Sequence, residues 1–510
     1  MHLLSNKTVR AGLAVAALAL LPLFGNLAHA AGPQTEKRTE RTEKEDAARK
    51  QPAITTEPAS TTQKDQVDLA VTVYSSNIAL VRDVRQIHLP SGTFPLHFED
   101  VAASINPATV HFRSLVDPSK LNVIEQNYEF DLLDPQKLLQ KYVGKEVTLV
   151  RPEKDAGSTR WVETKAVLLA NNGGPVWKIG NEIVTGMAVD SYRFPDLPEN
   201  LYSRPTLVWM LENRGAESQR VEASYLTNNM SWNSDYVLTV GRDEKSADLD
   251  GWVTLVNNSG VAYSNAKLQL VAGQLNRVEP PMARAMAGAA MLESKAAAPQ
   301  FGQEAFSEYH LYTLARRTSI QNNESKQISL LAGSGVPVEK YLLVEGQQYW
   351  FRNPQGIGNP IKQPVKVLYR FKNDEKSGLG MPLPAGTVRV YQADSKGGIQ
   401  FVGEDRIDHT PKDETLKIHV GDAFDVVCER KETDYKKIAT NVVEFEYQIT
   451  LRNHKDGAVT VEVREPIGGD WEVLNSNFKW TKLDATTLGF SIPVEKDGTS
   501  TLDYRVRVKW

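Results

Sequence analysis

The chain has 510 residues, 41% of them hydrophobic and 24% charged, with 34 Gly and 26 Pro. That is the balance of an ordinary soluble protein, and it excludes collagen-like or wholly disordered material. The formal charge is −4, or −6 once the leader cations Lys7 and Arg10 are set aside, and no basic stripe is present to neutralise a phosphate backbone, so the composition gives no support to nucleic acid as a partner.

Lys7 and Arg10 are followed by a small and apolar run from Ala11 to Phe24 and then by Ala28-His29-Ala30. This order predicts a secretory signal over residues 1–30, cleaved after Ala30, and a periplasmic or extracellular mature protein. The apolar run is about 14 residues, short of the ~20 needed to span a bilayer, and no later segment approaches that length. The mature chain is therefore expected to be soluble. Residues 31–66 carry balancing charges and Pro/Thr/Ser-rich text with almost no apolar residue. Such a segment cannot offset its ordering entropy by burial and reads as a disordered linker, or as an arm toward the envelope.

From Val67 the pattern alternates: Val71 and Val73, then Ile78, Leu80, Val84, Ile87 and Leu89, a turn at Pro90-Ser91-Gly92-Thr93, then Phe94, Leu96 and Phe98. Strand, turn and strand are expected here, opening an N-terminal β region over 67–195. One short helix is expected after Asp134, with Asp134 as N-cap, Pro135 at the first helical position and Gly144 at the exit. The short strands that follow, with turns such as Asn171-Asn172-Gly173-Gly174, suit a small inserted β-barrel over about 134–195.

Downstream an alternating strand, an Asn and a Gly-containing turn recur at Asn213, Asn257, Asn373 and Asn453. Asn and Gly reach positive φ, so these read as hairpin signals. The expected fold class is mainly β: tandem immunoglobulin-like β-sandwiches, one central region over 196–420 and a C-terminal sandwich over 421–510. Residues 279–304 interrupt it with Pro280, Pro281, many Ala and Met282, Met286 and Met291; they read as a mobile insertion, or as a helix that grips an apolar partner. Cys428 is the only cysteine, so no intramolecular disulfide forms, and its place in a strand with Phe424 and Val426 on the same face predicts a buried, inert thiol.

The stretches Gly251 to Gly260 and Ala266 to Gly273, the phrase Tyr309-His310-Leu311-Tyr312 and the run Phe371 to His409, with Leu383-Pro384-Ala385-Gly386-Thr387, resemble the bacterial domain-of-unknown-function 4139 family. The resemblance spans roughly residues 200 to 510, with a weaker echo at Val71 to Asp100. It implies no settled activity and no catalytic residues.

The chemistry is sparse. Seven of nine histidines lie outside the leader and none forms an HExxH pair; no nucleophile elbow, phosphate loop or dinucleotide fingerprint is present, and no cofactor or metal is implied. The richest polar run is Glu404 to Glu414, where His409 is a candidate general base oriented by Asp405 or Asp408, or the run is a solvated loop between Ile399–Val402 and Leu416–Val420. His310 is a second candidate, on a strand with Glu308 and Tyr312 on its own face. Tyr225, Trp232, Tyr236 and Trp252 crowd together and suit either sugar stacking or core packing. The expected role is a non-enzymatic binding or scaffolding module of the envelope, with an envelope protein or a glycan as partner. The alternatives are an envelope hydrolase or metal-assisted enzyme using His310, Asp405 and His409, and a glycan-binding protein using the aromatic cluster around Trp232.

Overall fold

A computed structural model describes residues 58–129, 133–155, 158–198, 201–202, 204–273, 275–276 and 300–510. The expected leader, most of the expected linker and residues 279–299 of the expected insertion lie outside the described residues. Within them the chain is mainly β, with one α-helix.

The strands gather into six sheets, none of them closed on itself. Alternation explains the register. In Gln66–Tyr74 the residues Leu69, Val71 and Val73 face inward, and in Gly92–Glu99 so do Phe94, Leu96 and Phe98. The turn after Leu89 carries the chain from one sheet to the other, with Gly92 at φ 93°. Together with Leu207, Trp209 and Leu211 these side chains fill the core of a first sandwich, formed by a four-stranded and an eight-stranded sheet.

The next five-stranded sheet serves two cores at once. On one face of Met230–Val240, Met230 and Trp232 enter the first core while Tyr236, Leu238 and Val240 enter a central core with Tyr369, Phe371, Leu416 and Ile418. Here Ser234 to Val240 pair in parallel with Gly386 to Gln392. A Cβ at position 386 would lie 2.2 Å from the Ser234 carbonyl oxygen, so this approach requires glycine. The C-terminal sandwich packs a six-stranded against a five-stranded sheet around Phe445, Ile449, Phe490, Val506 and Val508.

Parallel pairing joins strands distant in sequence, including Gln66–Tyr74 with Tyr263–Ala272 and Glu339–Glu345 with Val459–Pro466. The cores are therefore interleaved across the expected bounds. Leu207 to Leu211 lie beyond the bound at 195 yet belong to the first core, and Leu342 and Val344 lie before the bound at 420 yet belong to the last. The linker bound also moves: Ala59–Thr61 is a strand paired with Leu96 to Phe98, and Gln63–Asp65 is a 3-10 turn.

The helix forms as expected over Pro135–Lys141. The Asp134 carboxylate accepts from the backbone N–H groups of Gln136 at 2.8 Å and Lys137 at 3.0 Å, and Gly144 exits at φ 86°. The expected barrel does not close. Five strands from Glu146–Asp155 to Ser191–Arg193 form an open sheet whose two edge strands, Glu182–Thr185 and Ser191–Arg193, do not pair with each other. Four of the five have ten residues or fewer, and Leu139 and Tyr142 of the helix segment cap the core of Val147, Leu149, Leu168 and Trp177.

The recurring asparagines are not turn residues with positive φ. All four are buried, and each uses its side-chain amide as a clip. Asn453 Nδ2 donates to the carbonyls of Gly457 at 2.8 Å and Glu495 at 3.0 Å, while its Oδ1 accepts from the Lys455 N–H at 3.0 Å. Asn257 does the same toward Val261, Gln321 and Ser259, and Asn213 toward Ala216, Leu89 and Gly215. Asn373 holds Met381, Pro411 and Gly380. A short amide with two donors and an acceptor, placed where a strand ends, satisfies carbonyls that the ladder has left behind.

Candidate functional site

His310 sits in the strand Tyr309–Leu314, and Gln303 of the paired strand meets its Nδ1 at 2.8 Å. Glu308 lies in the turn that precedes the strand, next to Ser307 at φ 53°, so it does not share the expected strand face with His310. The polar run at 404–414 divides. Its first part completes the strand Ile399–Ile407, and only residues from Asp408 onward form the connection to Thr415–Asp422. Asp405 is spent on backbone: its carboxylate accepts from the N–H of His419 at 2.7 Å and of Arg406 at 2.8 Å, bridging two neighbouring strands.

His409 lies at the surface, and its Nδ1 accepts the Ala385 N–H at 3.1 Å. Partial desolvation holds the imidazole below its usual range; Asp408 opposes this and the nearby His310 adds to it. The two candidate histidines are thus neighbours, His310 from a strand and His409 from the connection after Ile407, but their arrangement is wrong for a base. A backbone N–H can only donate, so in neutral His409 the proton resides on Nε2 and the lone pair is already engaged. Neither Asp405 nor Asp408 orients the ring through Nδ1 as a base–carboxylate pair requires. Among the described residues no group of three His, Cys, Asp or Glu side chains is placed to hold a metal ion.

The aromatic candidates turn inward. Tyr225 and Trp232 belong to the first core and Tyr236 to the central core, where its hydroxyl donates to the Pro384 carbonyl at 2.8 Å. Their ring faces are covered by protein, which removes the stacking platform expected around Trp232; Trp252 alone, on the opposite strand face, is half-buried. Cys428 is buried as expected, and burial pushes its thiol up to about 12. Phe424, expected on the same inward face, is instead 95% exposed, because the strand begins only at Val426.

Two features escaped the sequence reading. The first is a buried polar cluster in the C-terminal sandwich. Arg430 is fully enclosed; its guanidinium makes a bidentate pair with Glu465, donates from Nε to Gln363 Oε1 at 2.7 Å, and lies over the rings of Trp350 and Tyr447 at 4.9 and 5.1 Å. Burial opposes the charge, and the Glu465 carboxylate more than offsets this, so the guanidinium remains charged. Glu432, two residues on, is also buried, and desolvation raises its carboxyl above the usual range. The signal was legible: continuing the inward alternation of Val426 and Cys428 by two steps reaches Arg430 and Glu432.

The second is a surface hollow of about 510 Å3 lined by residues 473–480. It lies where the chain crosses from Asp470–Ser476, an edge strand of one sheet, to Trp480–Lys482, an edge strand of the other. Leu474 and Trp480 are 36% and 41% exposed there, with Trp480 edge-on to Trp471 at 6.2 Å. The edge of Asp470–Ser476 away from its neighbour Thr499–Lys509 pairs with no strand among the described residues.

No helix among the described residues is long and apolar enough to cross a membrane. No curated protein matches the chain. The match to a family model begins at Val221 and ends at Gly468, a narrower span than the resemblance over roughly 200 to 510, and it includes strands of all three cores together with Arg430, Glu465 and three of the four clipping asparagines. Over residues 221–468 the chain is a member of the family described as Domain of unknown function (DUF4139).

Proposed function

We propose that this is an exported protein of the bacterial envelope that works by binding, offering its free strand edges to an extended segment of a partner protein. The observation that supports this most is the hollow at 473–480, where an unpaired strand edge lies beside exposed Leu474 and Trp480. An open edge supplies backbone donors and acceptors for an added strand, and flanking apolar side chains supply the pockets that select it. The leader-like order of Lys7, Arg10, the apolar run and Ala28-His29-Ala30 supports export.

The test is capture from intact cells with the full chain and with the double variant L474K/W480S. Both positions are partly exposed, and circular dichroism with a thermal melt checks that the double variant keeps the fold. A partner recovered by the native chain and lost by the variant supports the reading; equal recovery of every partner by both refutes it. Fractionation that finds uncleaved chain in the cytosol refutes the export half independently.

A further inference from the structure

Residues 346–358 cross over the end of the C-terminal sandwich as a strap. Trp350 and Phe351 turn inward, Phe351 into the core and Trp350 over Arg430. Three bonds hold the strap to the strand Val426–Ala439: the Gln355 N–H donates to Glu432 Oε2 at 2.5 Å, the Gly358 N–H to the Glu432 carbonyl at 2.8 Å, and the Tyr435 hydroxyl to the Arg352 carbonyl at 3.0 Å. Tyr349 takes φ 81°, a left-handed conformation costing a bulky residue roughly 1–3 kcal/mol, so the latch works against local strain.

Beneath the strap Trp350, Gln355, Ile361, Arg430, Glu432 and Tyr447 enclose a cavity of about 10 Å3. Two polar atoms of its walls, Glu432 Oε1 and Tyr447 Oη, are buried without a hydrogen-bond partner in the protein, and both residues are more than nine-tenths buried. Leaving such atoms unpaired costs about 1–3 kcal/mol each. The volume is close to the ~10–15 Å3 that one water molecule requires. Charge narrows the ligand further: the Arg430 guanidinium on one wall disfavours a cation, and the Glu432 carboxyl on another disfavours an anion. A neutral molecule that both donates and accepts fits both atoms.

We propose that this cavity is a binding site for one water molecule, which bridges Glu432 Oε1 and Tyr447 Oη and forms part of the latch that closes the strap on the C-terminal sandwich. Glu432 then holds the strap through Oε2 and the adjacent strand, through the water, with Oε1.

The test combines an experimental high-resolution structure with amide exchange in the full-length chain. The expected result is an ordered water within about 2.6–3.2 Å of both oxygens. In Tyr447→Phe the water is absent and the Gln355 and Gly358 amides exchange at least ~10-fold faster, while the amides of Thr487–Val494 in the facing sheet keep their protection. Ile361→Phe, made from a side chain 43% exposed, fills the cavity without removing either polar atom and gives the same loss even where Tyr447→Phe does not fold. A direct bond between Glu432 and Tyr447 with no water, or unchanged exchange at Gln355 in the variant that folds, overturns the proposal.

Discussion

The first and last sandwiches each bury an arginine, and they do so in different ways. Arg85 pairs with Asp83 two residues earlier on the same strand, at 2.9 Å and 3.1 Å, donates to the Glu99 carbonyl and rests 3.5 Å from the centre of the Phe98 ring. Arg430 instead reaches Glu465 on the facing sheet and lies against rings of the strap and of its own sheet. The first pair is local, so its geometry follows from the pleat of one strand. The second ties two sheets, and its geometry exists only once the sandwich has closed. Even the chain nearby is shaped by it, since a Cβ on Gly346 would lie 2.4 Å from Glu465 Oε2.

Truncating either carboxylate gives the largest effect. Asp83→Ala and Glu465→Ala each leave a buried guanidinium without its counter-charge and are expected to cost about 3–5 kcal/mol in denaturant unfolding. What separates them is where protection is lost. Glu465→Ala is expected to raise amide exchange in Val426–Ala439 and Val459–Pro466 together, whereas Asp83→Ala affects Ile78–His88 and its paired neighbours. Loss confined to Val459–Pro466 in Glu465→Ala would contradict the tie between sheets.

The asparagine clips rank next. Asn453→Ala removes two donors and an acceptor from buried carbonyls and an amide, and about 2–3 kcal/mol of destabilisation is expected in the same measurement. Substitution of the exposed Asn441, which clips nothing through its side chain, serves as the control and stays within about 0.5 kcal/mol.

A smaller effect is seen only against pH. Because burial raises the Glu432 carboxyl, the folded state holds this proton more tightly than the unfolded chain does. Its contribution is complete below the ordinary carboxyl range and is lost as pH rises through the folded value. Glu432→Gln, which keeps an acceptor for the Gln355 N–H, is expected to remove that downward slope; an unchanged slope would show that another group produces it. The smallest effect is at His409, whose imidazole protons should titrate below the ordinary range in a magnetic resonance titration. Protonation there forfeits the Ala385 bond, so its small contribution is present above the ordinary imidazole value and lost as pH falls through the folded one.

The strand alternation and the cap at Asp134 were legible in the sequence because both are local. So was the recurrence of Asn213, Asn257, Asn373 and Asn453, although its cause was misread. Positive φ is a backbone property, while the clips depend on carbonyls up to 124 residues away, such as Leu89 for Asn213. Parallel pairing across distant strands hid the domain bounds for the same reason. The site candidates turn on exposure and side-chain direction, which the pattern alone does not give: Tyr225, Trp232 and Tyr236 face inward, and Asp405 serves backbone amides. Arg430 and Glu432 were within reach of the period-2 pattern, but their partners Glu465, Trp350 and Tyr447 were not.

The most direct measurement of the proposed role is photo-crosslinking in intact cells from a probe placed at position 474, beside the free strand edge, against a control probe at exposed Trp161 on the inserted sheet. The account predicts a discrete adduct with one envelope protein from position 474 that the control does not form. Identical adduct patterns from both positions, or none from position 474 in exported chain, would contradict it.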